Sequence, residues 1–390
     1  MKVALLVPGG VDRSGTERVI PCLLWLIERL TSAGHELHVY AAAQEERPAS
    51  WELLGAHVHN AGARPRRARM LAALAAEHRS ARFDVLHAVW AAPAGVVGAA
   101  AGALLGAPVL LHLTGGDLAA LPDIGYGVRV RRRGRAWLRL ALAGADRVTV
   151  PSAYLLGQAR ALGIAAERLV YGVALDRWPL LPPRARVPGA PARLLHVGSL
   201  NRVKDQGTLL RAAARLRDAG VSFRLDIVGE DTLGGVVQRE AAALRLGGDV
   251  VAFHGFLPHA ALRPLVEAAD LLVVSSRHEA DPIALLEAAV AGVPTVGTAV
   301  GHLADWAPDA AAAVPVGDDA ALAGAAEALL RDEERRLRLA HAAQARARAD
   351  DADRTAGRVL ELYEELAGGR GRRSDPPRRP PQPQARVPRT

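Results

Sequence analysis

The chain has 390 residues, of which 50% are hydrophobic and 23% are charged, and its formal net charge is +8. This length exceeds one ordinary hydrophobic core and predicts two globular domains of roughly 150 to 200 residues each. Residues 368–390 contain seven arginines and one aspartate, so the rest of the chain is nearly neutral, which argues against nucleic acid as a partner.

Features of export and membrane insertion are weak. The single cysteine, Cys22, excludes an internal disulfide and fits a reducing compartment, and we expect it in the core. The apolar run at residues 3–7 is too short for a secretory signal, so we expect a cytoplasmic protein. Residues 88–116 lack Asp, Glu, Lys and Arg and are long enough for a membrane span. Pro93 and Pro108 interrupt them, which favours a small-residue helix followed by a buried strand.

Short apolar runs alternate with helical patterns along the first half, as is typical of parallel sheets built from strand–helix–strand units. Strands are predicted at residues 2–7, 36–42, near His57, 84–88, 108–113, 147–150 and 168–171. Helices are predicted at residues 16–33, 66–79, 93–105 and 152–162. The first domain is therefore expected to cover residues 1–178.

A segment with five prolines, residues 179–191, can continue neither a helix nor a central strand and predicts a linker. A second alternating series then predicts a domain at residues 192–350. Its strands are expected at residues 193–197, 222–228, 250–254, 271–275 and 295–297, and its helices at 205–219, 235–246, 258–268 and 282–291. Two such sheets that face each other leave a cleft at the carboxyl ends of their strands.

Residues 275–301 carry the most informative pattern. Glu279 follows a predicted strand, and Glu287 lies eight positions on, in the next predicted helix, so both carboxylates can face the cleft. With the Gly-Val-Pro turn that begins at Gly292, this segment resembles the paired-glutamate motif of glycosyltransferase family 4. The resemblance implies retaining transfer and an α/β GT-B fold, in which two doubly wound Rossmann-like domains face a central cleft.

The resemblance also implies roles for these residues. Glu287 would hold the ribose hydroxyls of the nucleotide, and Glu279 would contact the transferred sugar. The amides of Ile283 and Ala284 would receive the diphosphate at a helix N-terminus. One departure from the family pattern is Asp281, whose negative charge beside a diphosphate would weaken binding unless it points away. The alternative is that both glutamates are solvated acids flanking a helix.

Residues 196–209 resemble the phosphate loop of the family. Lys204 matches a lysine that neutralises the leaving diphosphate, which makes it the leading catalytic candidate. Ser199 stands where arginine is frequent, so Arg202 is expected to supply a second cation, with a plain surface arginine as the alternative. Gly229 and His254 match donor-side positions, the latter in a loop against the base.

The first domain contains two further matches. Its acceptor-side glycine loop would include Gly9, Gly10 and Gly15, where a tight turn is the alternative. Gly115 and Asp117, which follow the strand at residues 108–113, match a second acceptor-side loop.

In the family a histidine commonly stands directly before the glycine that corresponds to Gly115, and this chain has Thr114 at that position. His112, two residues earlier, is a catalytic candidate or a core histidine. His87 also matches a family position, with a structural role favoured.

Three charged segments remain. A helix at residues 351–367 is expected to cross back to the first domain, and the basic, proline-rich residues 368–390 are expected to be disordered. Residues 129–139 contain six arginines around Trp137. They would contact an anionic membrane surface or an acidic acceptor, or form a solvated helix.

The resemblance implies a retaining glycosyltransferase that moves a sugar from a nucleoside diphosphate sugar to a hydroxyl of a glycan, lipid or small metabolite. No metal or cofactor is expected, since no cluster with ligand spacing is visible in the sequence. The protein would be cytoplasmic, with peripheral contact at the inner face of the membrane. The alternatives are a catalytically degenerate GT-B binding or scaffold protein, and a nucleic-acid or membrane adaptor based on the basic segments.

Overall fold

The computed structural model describes residues 1–371, and its first domain is built on an eight-stranded sheet. The strands are β1 (Lys2–Val7), β2 (Glu36–Ala41), β3 (Ala49–Leu53), β4 (Ala56–Asn60), β5 (Val85–Val89), β6 (Val109–His112), β7 (Arg147–Val150) and β8 (Glu167–Arg168). Their order is β3-β4-β2-β1-β5-β6-β7-β8, and β3 alone pairs antiparallel. The main helices are α1 (Pro21–Ser32), α2 (Arg66–Ser80), α3 (Val96–Leu105), α4 (Arg132–Ala143) and α5 (Ala153–Ala161).

The second domain is built on a six-stranded parallel sheet. Its strands are β9 (Ala192–Val197), β10 (Phe223–Val228), β11 (Val251–Gly255), β12 (Leu271–Val274), β13 (Thr295–Thr298) and β14 (Ala312–Val314), in the order β11-β10-β9-β12-β13-β14. The helices are α6 (Gln206–Asp218), α7 (Val236–Ala243), α8 (His259–Ala268), α9 (Ile283–Val290), α10 (His302–Trp306), α11 (Asp319–Arg331), α12 (Glu333–Ala349) and α13 (Ala352–Gly371).

Each sheet reverses the direction of its strand order beside its first strand. β1 lies between β2 and β5, and β9 lies between β10 and β12. In doubly wound sheets, ligands bind at the carboxyl ends of the strands where this reversal occurs. The loops that follow β1, β9 and β12 are therefore the places where site residues are expected.

The helix predicted at residues 16–33 begins only at Pro21. Residues 9–20 instead form a loop that a backbone bridge between Val11 and Val19 closes. Proline suits the first helical turn because its missing N–H would have no partner there. The glycine loop of the first domain is therefore longer than the sequence pattern indicated.

Strand β3 is absent from the sequence prediction. It forms a hairpin with β4 through Leu54 and Gly55, which both have positive φ angles. The strand predicted at residues 168–171 is reduced to Glu167–Arg168. Both differences lie on the edges of the first sheet, away from the reversal point.

Residues 88–116 are part of the first domain's core. They include α3 and the central strand β6, whose four residues are all buried. Across residues 1–371, no helix combines the length and apolarity that crossing a membrane requires.

The last helix, α13, lies against the first domain although it follows the second. Val359, Leu362 and Tyr363 are fully buried in the same cluster as residues of β1 and α1. The helix continues to Gly371, so residues 368–371 do not begin a disordered tail as the sequence predicted. The rest of that predicted tail, residues 372–390, lies outside the described residues.

Cys22 differs from its predicted core position. It is only partly buried, and it packs against hydrophobic clusters of both domains. Burial and the nearby Asp281 carboxylate raise the pKa of its thiol. Cys22 therefore marks the seam between the two domains.

Candidate active site between the two domains

Lys204 and Glu279 are brought together at the ends of β9 and β12. Lys204 Nζ donates a hydrogen bond to Glu279 Oε1 over 2.5 Å, and Ser276 Oγ donates to the same oxygen over 2.5 Å. The lysine side chain runs past Gly198, where a Cβ atom would lie 3.1 Å from Lys204 Cε. The absence of a side chain at Gly198 thus leaves room for the extended lysine.

Glu287 is buried in α9, with 2% of its surface exposed. Within residues 1–371 its Oε1 atom has no hydrogen-bond partner, although His259 Nε2 lies 3.3 Å away. Burial raises the pKa of Glu287 to about 8. A buried carboxyl oxygen without a partner is costly, and this oxygen could accept a hydrogen bond from a ligand.

His259 connects Glu287 to a pocket between the domains. Its ring lies 6.1 Å from that of Trp25 and 5.8 Å from that of Trp178, measured between centroids. The pocket has a volume of about 410 Å³, and its lining includes His259 and both tryptophans together with Gly15 of the first domain's glycine loop. The sequence analysis missed His259, because nothing near it in the chain resembles a catalytic motif.

The N-terminus of α9 lies between the two glutamates in the chain. Pro282 is its N-cap, and no side chain caps the helix. The first-turn amides of Ile283 and Ala284 therefore present the positive end of the helix dipole. This arrangement is compatible with the predicted diphosphate position.

The Asp281 carboxylate, which the sequence placed in conflict with a diphosphate, faces His302. Asp281 Oδ1 lies 2.9 Å from His302 Nε2, and the aspartate side chain is 7% exposed. Burial opposes charge on His302, but the carboxylates of Asp281 and Asp305 raise the pKa of its ring to about 9. The imidazolium thus neutralises Asp281.

The remaining predicted donor residues are less tightly placed. Arg202 is exposed beside Asn201, so its role as a second cation stays a prediction. Gly229 has a φ of 151°, and its amide donates to the Gly255 carbonyl over 2.8 Å. His254 Nε2 lies 2.8 Å from Asp226 Oδ1 on the neighbouring strand. The donor roles of Gly229 and His254 also stay predictions.

The glycine loop after β1 is partly filled by a glutamine. Gln44 Oε1 accepts hydrogen bonds from the amides of Gly10, at 2.7 Å, and Val11, at 3.1 Å. The same oxygen lies 3.2 Å from where a Cβ atom on Gly9 would stand. The Gly10 amide is therefore engaged within the protein, contrary to its predicted exposure to a ligand, whereas Gly15 lines the pocket.

Asp117 braces the second glycine loop from inside the first domain. It is 1% exposed and accepts hydrogen bonds from the amides of Ala91 and Thr114 over 2.9 and 3.2 Å. Burial raises its pKa to about 7. These contacts correct its predicted acceptor role to a structural one.

Gly115 belongs to a contact between the domains. His278, which precedes Glu279, donates from Nε2 to the Gly115 carbonyl over 2.9 Å. The His278 ring lies 5.9 Å from that of Tyr126 and 6.2 Å from that of Tyr154. His278 was missed in the sequence, where only its position beside Glu279 signalled a role.

His112 is a core histidine. It is 1% exposed, its Nδ1 lies 2.9 Å from Thr149 Oγ1, and its ring stacks on Tyr171 at 4.3 Å between centroids. Burial lowers its pKa, so the ring stays neutral. This surrounding corrects the prediction that His112 is catalytic. His87 is likewise fully buried, between the hydroxyls of Tyr171 and Tyr363.

A group with metal-ligand spacing lies at the amino ends of the strands of the first sheet. Glu36, His38 and Glu77 place one ligand atom each within 4.8 Å of the others. Lys2 Nζ lies 2.9 Å from Glu36 and 2.5 Å from Glu77, so an ammonium already pairs with both carboxylates. Lys2 and Glu36 begin their strands, which places this group away from the carboxyl ends where the site lies.

Two family models match the chain. The model described as glycosyl transferase 4-like domain matches residues 19–172, and that described as glycosyl transferases group 1 matches residues 181–346. The 2-deoxystreptamine N-acetyl-D-glucosaminyltransferase of Streptomyces fradiae is 33% identical over 325 residues, which cover 78% of this chain and 76% of that protein.

Other relatives match over a shorter span. Glycogen synthase of Mycobacterium tuberculosis is 34% identical over 54% of this chain and 50% of its own length. The D-inositol 3-phosphate glycosyltransferase of Thermomonospora curvata is 36% identical over 44% of this chain and 42% of its own length. The match therefore spans half or less of these two proteins.

Solved structures share the fold over nearly the whole chain. Sucrose-phosphate synthase from Thermosynechococcus elongatus superposes with a TM-score of 0.78 at 21% identity, covering 94% of this chain and 99% of that one. Anabaena HepE in complex with UDP and glucose gives a TM-score of 0.73 at 18% identity, covering 94% and 100%. The predicted GT-B fold is thereby confirmed.

Proposed function

Because this chain belongs to glycosyltransferase family 4, the group 1 glycosyl transferases, we propose that it transfers a sugar from a nucleoside diphosphate sugar to an acceptor hydroxyl with retention of configuration. One observation carries the proposal: the Lys204–Glu279 pair precedes the N-terminus of α9, which no side chain among residues 1–371 caps, and the same helix bears Glu287, whose Oε1 has no hydrogen-bond partner in that part of the chain. Cation, helix dipole and buried acid suit the phosphates and ribose of one donor.

The charges divide the work of the reaction. Lys204 has three N–H groups, and one of them donates to Glu279, so the ammonium can also donate to phosphate oxygens. The amides of Ile283 and Ala284 bind the same diphosphate, and Glu287 accepts from the ribose hydroxyls. Glu279, held by Ser276 and Lys204, contacts the transferred sugar.

In the proposed reaction the bond between the anomeric carbon and the diphosphate oxygen breaks. The acceptor oxygen forms the new bond on the same face, and its proton passes to the leaving phosphate oxygen. Developing negative charge on that oxygen is stabilised by Lys204 and by the N-terminus of α9, and electrostatic stabilisation of this kind is usually the largest catalytic contribution.

We propose that the reaction needs no metal ion, because the ammonium and the helix dipole supply the positive charge. Turnover with EDTA and turnover with added magnesium should then agree within about twofold. A loss of activity on chelation that magnesium restores would refute this part of the proposal.

Structural neighbours suggest a donor, whereas the acceptors of the named relatives differ. HepE is solved with UDP-glucose, and a structural neighbour from E. coli, described as trehalose-6-phosphate, is bound with UDP-2-fluoro glucose, so a uridine diphosphate sugar is the first donor to test. The named relatives act on different acceptors, including 2-deoxystreptamine and D-inositol 3-phosphate. The acceptor is proposed to be a glycan, lipid or small metabolite with a free hydroxyl.

The direct experiment measures nucleoside diphosphate release from uridine, guanosine and adenosine diphosphate sugars with an acceptor panel, and determines the anomeric configuration of the product by NMR. An inverted product would refute retention. Nucleotide binding without turnover on every donor and acceptor would favour the scaffold alternative, which Ser199, Thr114 and Asp281 prompted. The neutralisation of Asp281 by His302 already removes one ground for that alternative.

Peripheral membrane contact is proposed for the arginine-rich surface of α4 and α2. The guanidinium carbons of Arg67 and Arg133 lie 3.9 and 4.4 Å from the Trp137 ring. Burial and the neighbouring charges of Arg133 and Arg66 lower the pKa of Arg67, as expected of crowded cations. Leu140 on the same helix is 53% exposed. Anionic lipid supplies charge and an apolar surface to such a patch.

Flotation with vesicles of phosphatidylglycerol and phosphatidylcholine tests the contact. The full chain should bind the anionic vesicles, and Arg132→Gln with Arg133→Gln should lose most of the binding. Unchanged binding of this double variant would exclude the surface.

A further inference from the structure

We propose that His302 is a positioning residue of the donor site, whose imidazolium holds the Asp281 carboxylate away from the donor diphosphate and ties this part of the site to the first domain through Asp305. The inference rests on the proposed function, because it assigns the diphosphate to the N-terminus of α9. It concerns residues that the resemblance to the family does not assign.

The geometry places a cation between two acids. His302 is 1% exposed, its Nε2 lies 2.9 Å from Asp281 Oδ1, and its Nδ1 lies 3.8 Å from Asp305 Oδ2. The ring also stacks on Trp306, with 5.9 Å between centroids. An imidazole with a carboxylate beside each nitrogen is more stable as the cation. Its pKa of about 9 agrees with that charge state.

The pairing matters because of where Asp281 stands. It directly precedes Pro282, the N-cap of the helix whose first amides, those of Ile283 and Ala284, are proposed to bind the diphosphate. Without His302, a buried negative charge would repel the donor diphosphate at this helix end. With His302 charged, the pair is neutral, and the helix dipole acts on the diphosphate unopposed.

The same group reaches the first domain. Asp305 accepts hydrogen bonds from the amides of Ala153 and Tyr154, each over 2.7 Å, at the N-terminus of α5. These two amides stabilise the Asp305 charge, which leaves the imidazolium to compensate Asp281. Asp281, His302 and Asp305 thus form a row of charges at ion-pair distances of 2.9 and 3.8 Å, and hydrogen bonds join its last member to the other domain.

Other titratable groups face Asp281 from the first domain. Burial raises the pKa of Cys22 in α1 and of Tyr171, and the Asp281 charge adds to both shifts. Both groups are therefore neutral near pH 9. Glu287, whose pKa is about 8, is mostly ionised by pH 9. The titration of His302 is thus the event that changes the charge beside Asp281 as the pH rises through 9.

Calorimetric binding of UDP, GDP and ADP tests the inference without any need for turnover. His302→Asn should lower the affinity for the tightest-binding of these nucleotides about tenfold or more, because it leaves the charge of Asp281 uncompensated. Asp281→Asn with His302→Asn should restore affinity to within about threefold of the parent. His341→Asn, an exposed histidine on α12, is the matched control.

The pH dependence gives a second measurement. His302 is charged below its raised pKa, so nucleotide affinity should fall as the pH rises through about 9, and Asp281→Asn should abolish that fall while keeping affinity at pH 7. This single variant serves even where His302→Asn does not fold. Affinity of the double variant no better than that of a folded His302→Asn, or a fall above pH 9 that persists in Asp281→Asn, would overturn the inference. Binding that follows this cycle without turnover would instead refute only the proposed transfer.

Discussion

Lys204 is the residue from which the largest effect on rate is expected. Lys204→Ala should lower kcat by roughly 10²- to 10³-fold, as removal of one group that stabilises developing charge does elsewhere. The donor KM should change less, because α9 and Glu287 still bind the nucleotide. Steady-state kinetics check this split, with Arg239→Ala, an exposed arginine on α7, as the control. A kcat within threefold of the parent would remove Lys204 from the mechanism.

We expect Glu287 to lose a proton when the nucleotide binds. Its pKa of about 8 means that the free carboxyl is mostly protonated at pH 7. Hydrogen bonds from ribose hydroxyls favour the ionised form and lower that pKa, so UDP binding at pH 7 should release a proton.

Calorimetry in buffers of different ionisation enthalpy measures the release directly. Glu287→Gln should abolish it, and Glu287→Ala should also weaken binding by about tenfold or more. Equal proton release by Glu287→Gln and the parent protein would contradict the assignment.

At the residue scale, local patterns predicted what lies in one loop or helix. Glu279, Lys204 and the α9 amides come from two short segments, and the structure brings Lys204 and Glu279 into contact. His302 and His259 reach the site from other elements, so only the folded chain reveals them. The sequence left His112 open between a site and a core residue, and its contacts with Thr149 and Tyr171 indicate the core.

At the scale of elements, the loops after β9 and β10 must approach each other closely. A Cβ atom on Gly229 would stand 2.1 Å from the Gly198 carbonyl oxygen, and φ at Gly229 is 151°. Gly229→Ala should therefore lower the free energy of unfolding by roughly 1 to 3 kcal/mol. It should also weaken nucleotide binding, because it displaces the loop that carries Lys204.

Gly248→Ala is the control for that variant, since a Cβ atom there meets open space and its φ is not positive. Chemical denaturation of both variants provides the comparison. Equal stability of the two would show that the loops have room for a side chain.

Element existence was predicted better than element ends. Alternating apolar runs indicated the central strands, which are buried on both faces. The start of α1 and the β3–β4 hairpin depend on the Val11–Val19 bridge and on positive φ at Leu54, which no apolar periodicity encodes. The position of Gln44 over the glycine loop likewise depends on tertiary contacts.

At the scale of the whole molecule, the stability of the first domain depends on α13, the last helix of the described residues. Leu362 is fully buried in the cluster shared with β1 and α1. Leu362→Ala should lower stability by roughly 2 to 5 kcal/mol, and hydrogen exchange of amides in β1 and β5 should accelerate more than that in β9 and β12.

Glu364→Ala, at an exposed position on the same helix, is the control and should leave hydrogen exchange in both sheets unchanged. Uniform acceleration in both sheets for Leu362→Ala would mean that the domains unfold as one unit. Two-domain architecture could be read from the linker prolines and the two alternating series. The return of the last helix to the first domain was expected from the family resemblance, but the residues of β1 and α1 against which it packs were not.

The chain's single thiol, at Cys22, lies where the hydrophobic clusters of both domains meet. Its raised pKa and partial burial make it slow to alkylate while the halves stay together. The rate of maleimide labelling would therefore report how often the two domains separate, without any engineered probe. Saturating nucleotide that draws the domains together should lower that rate.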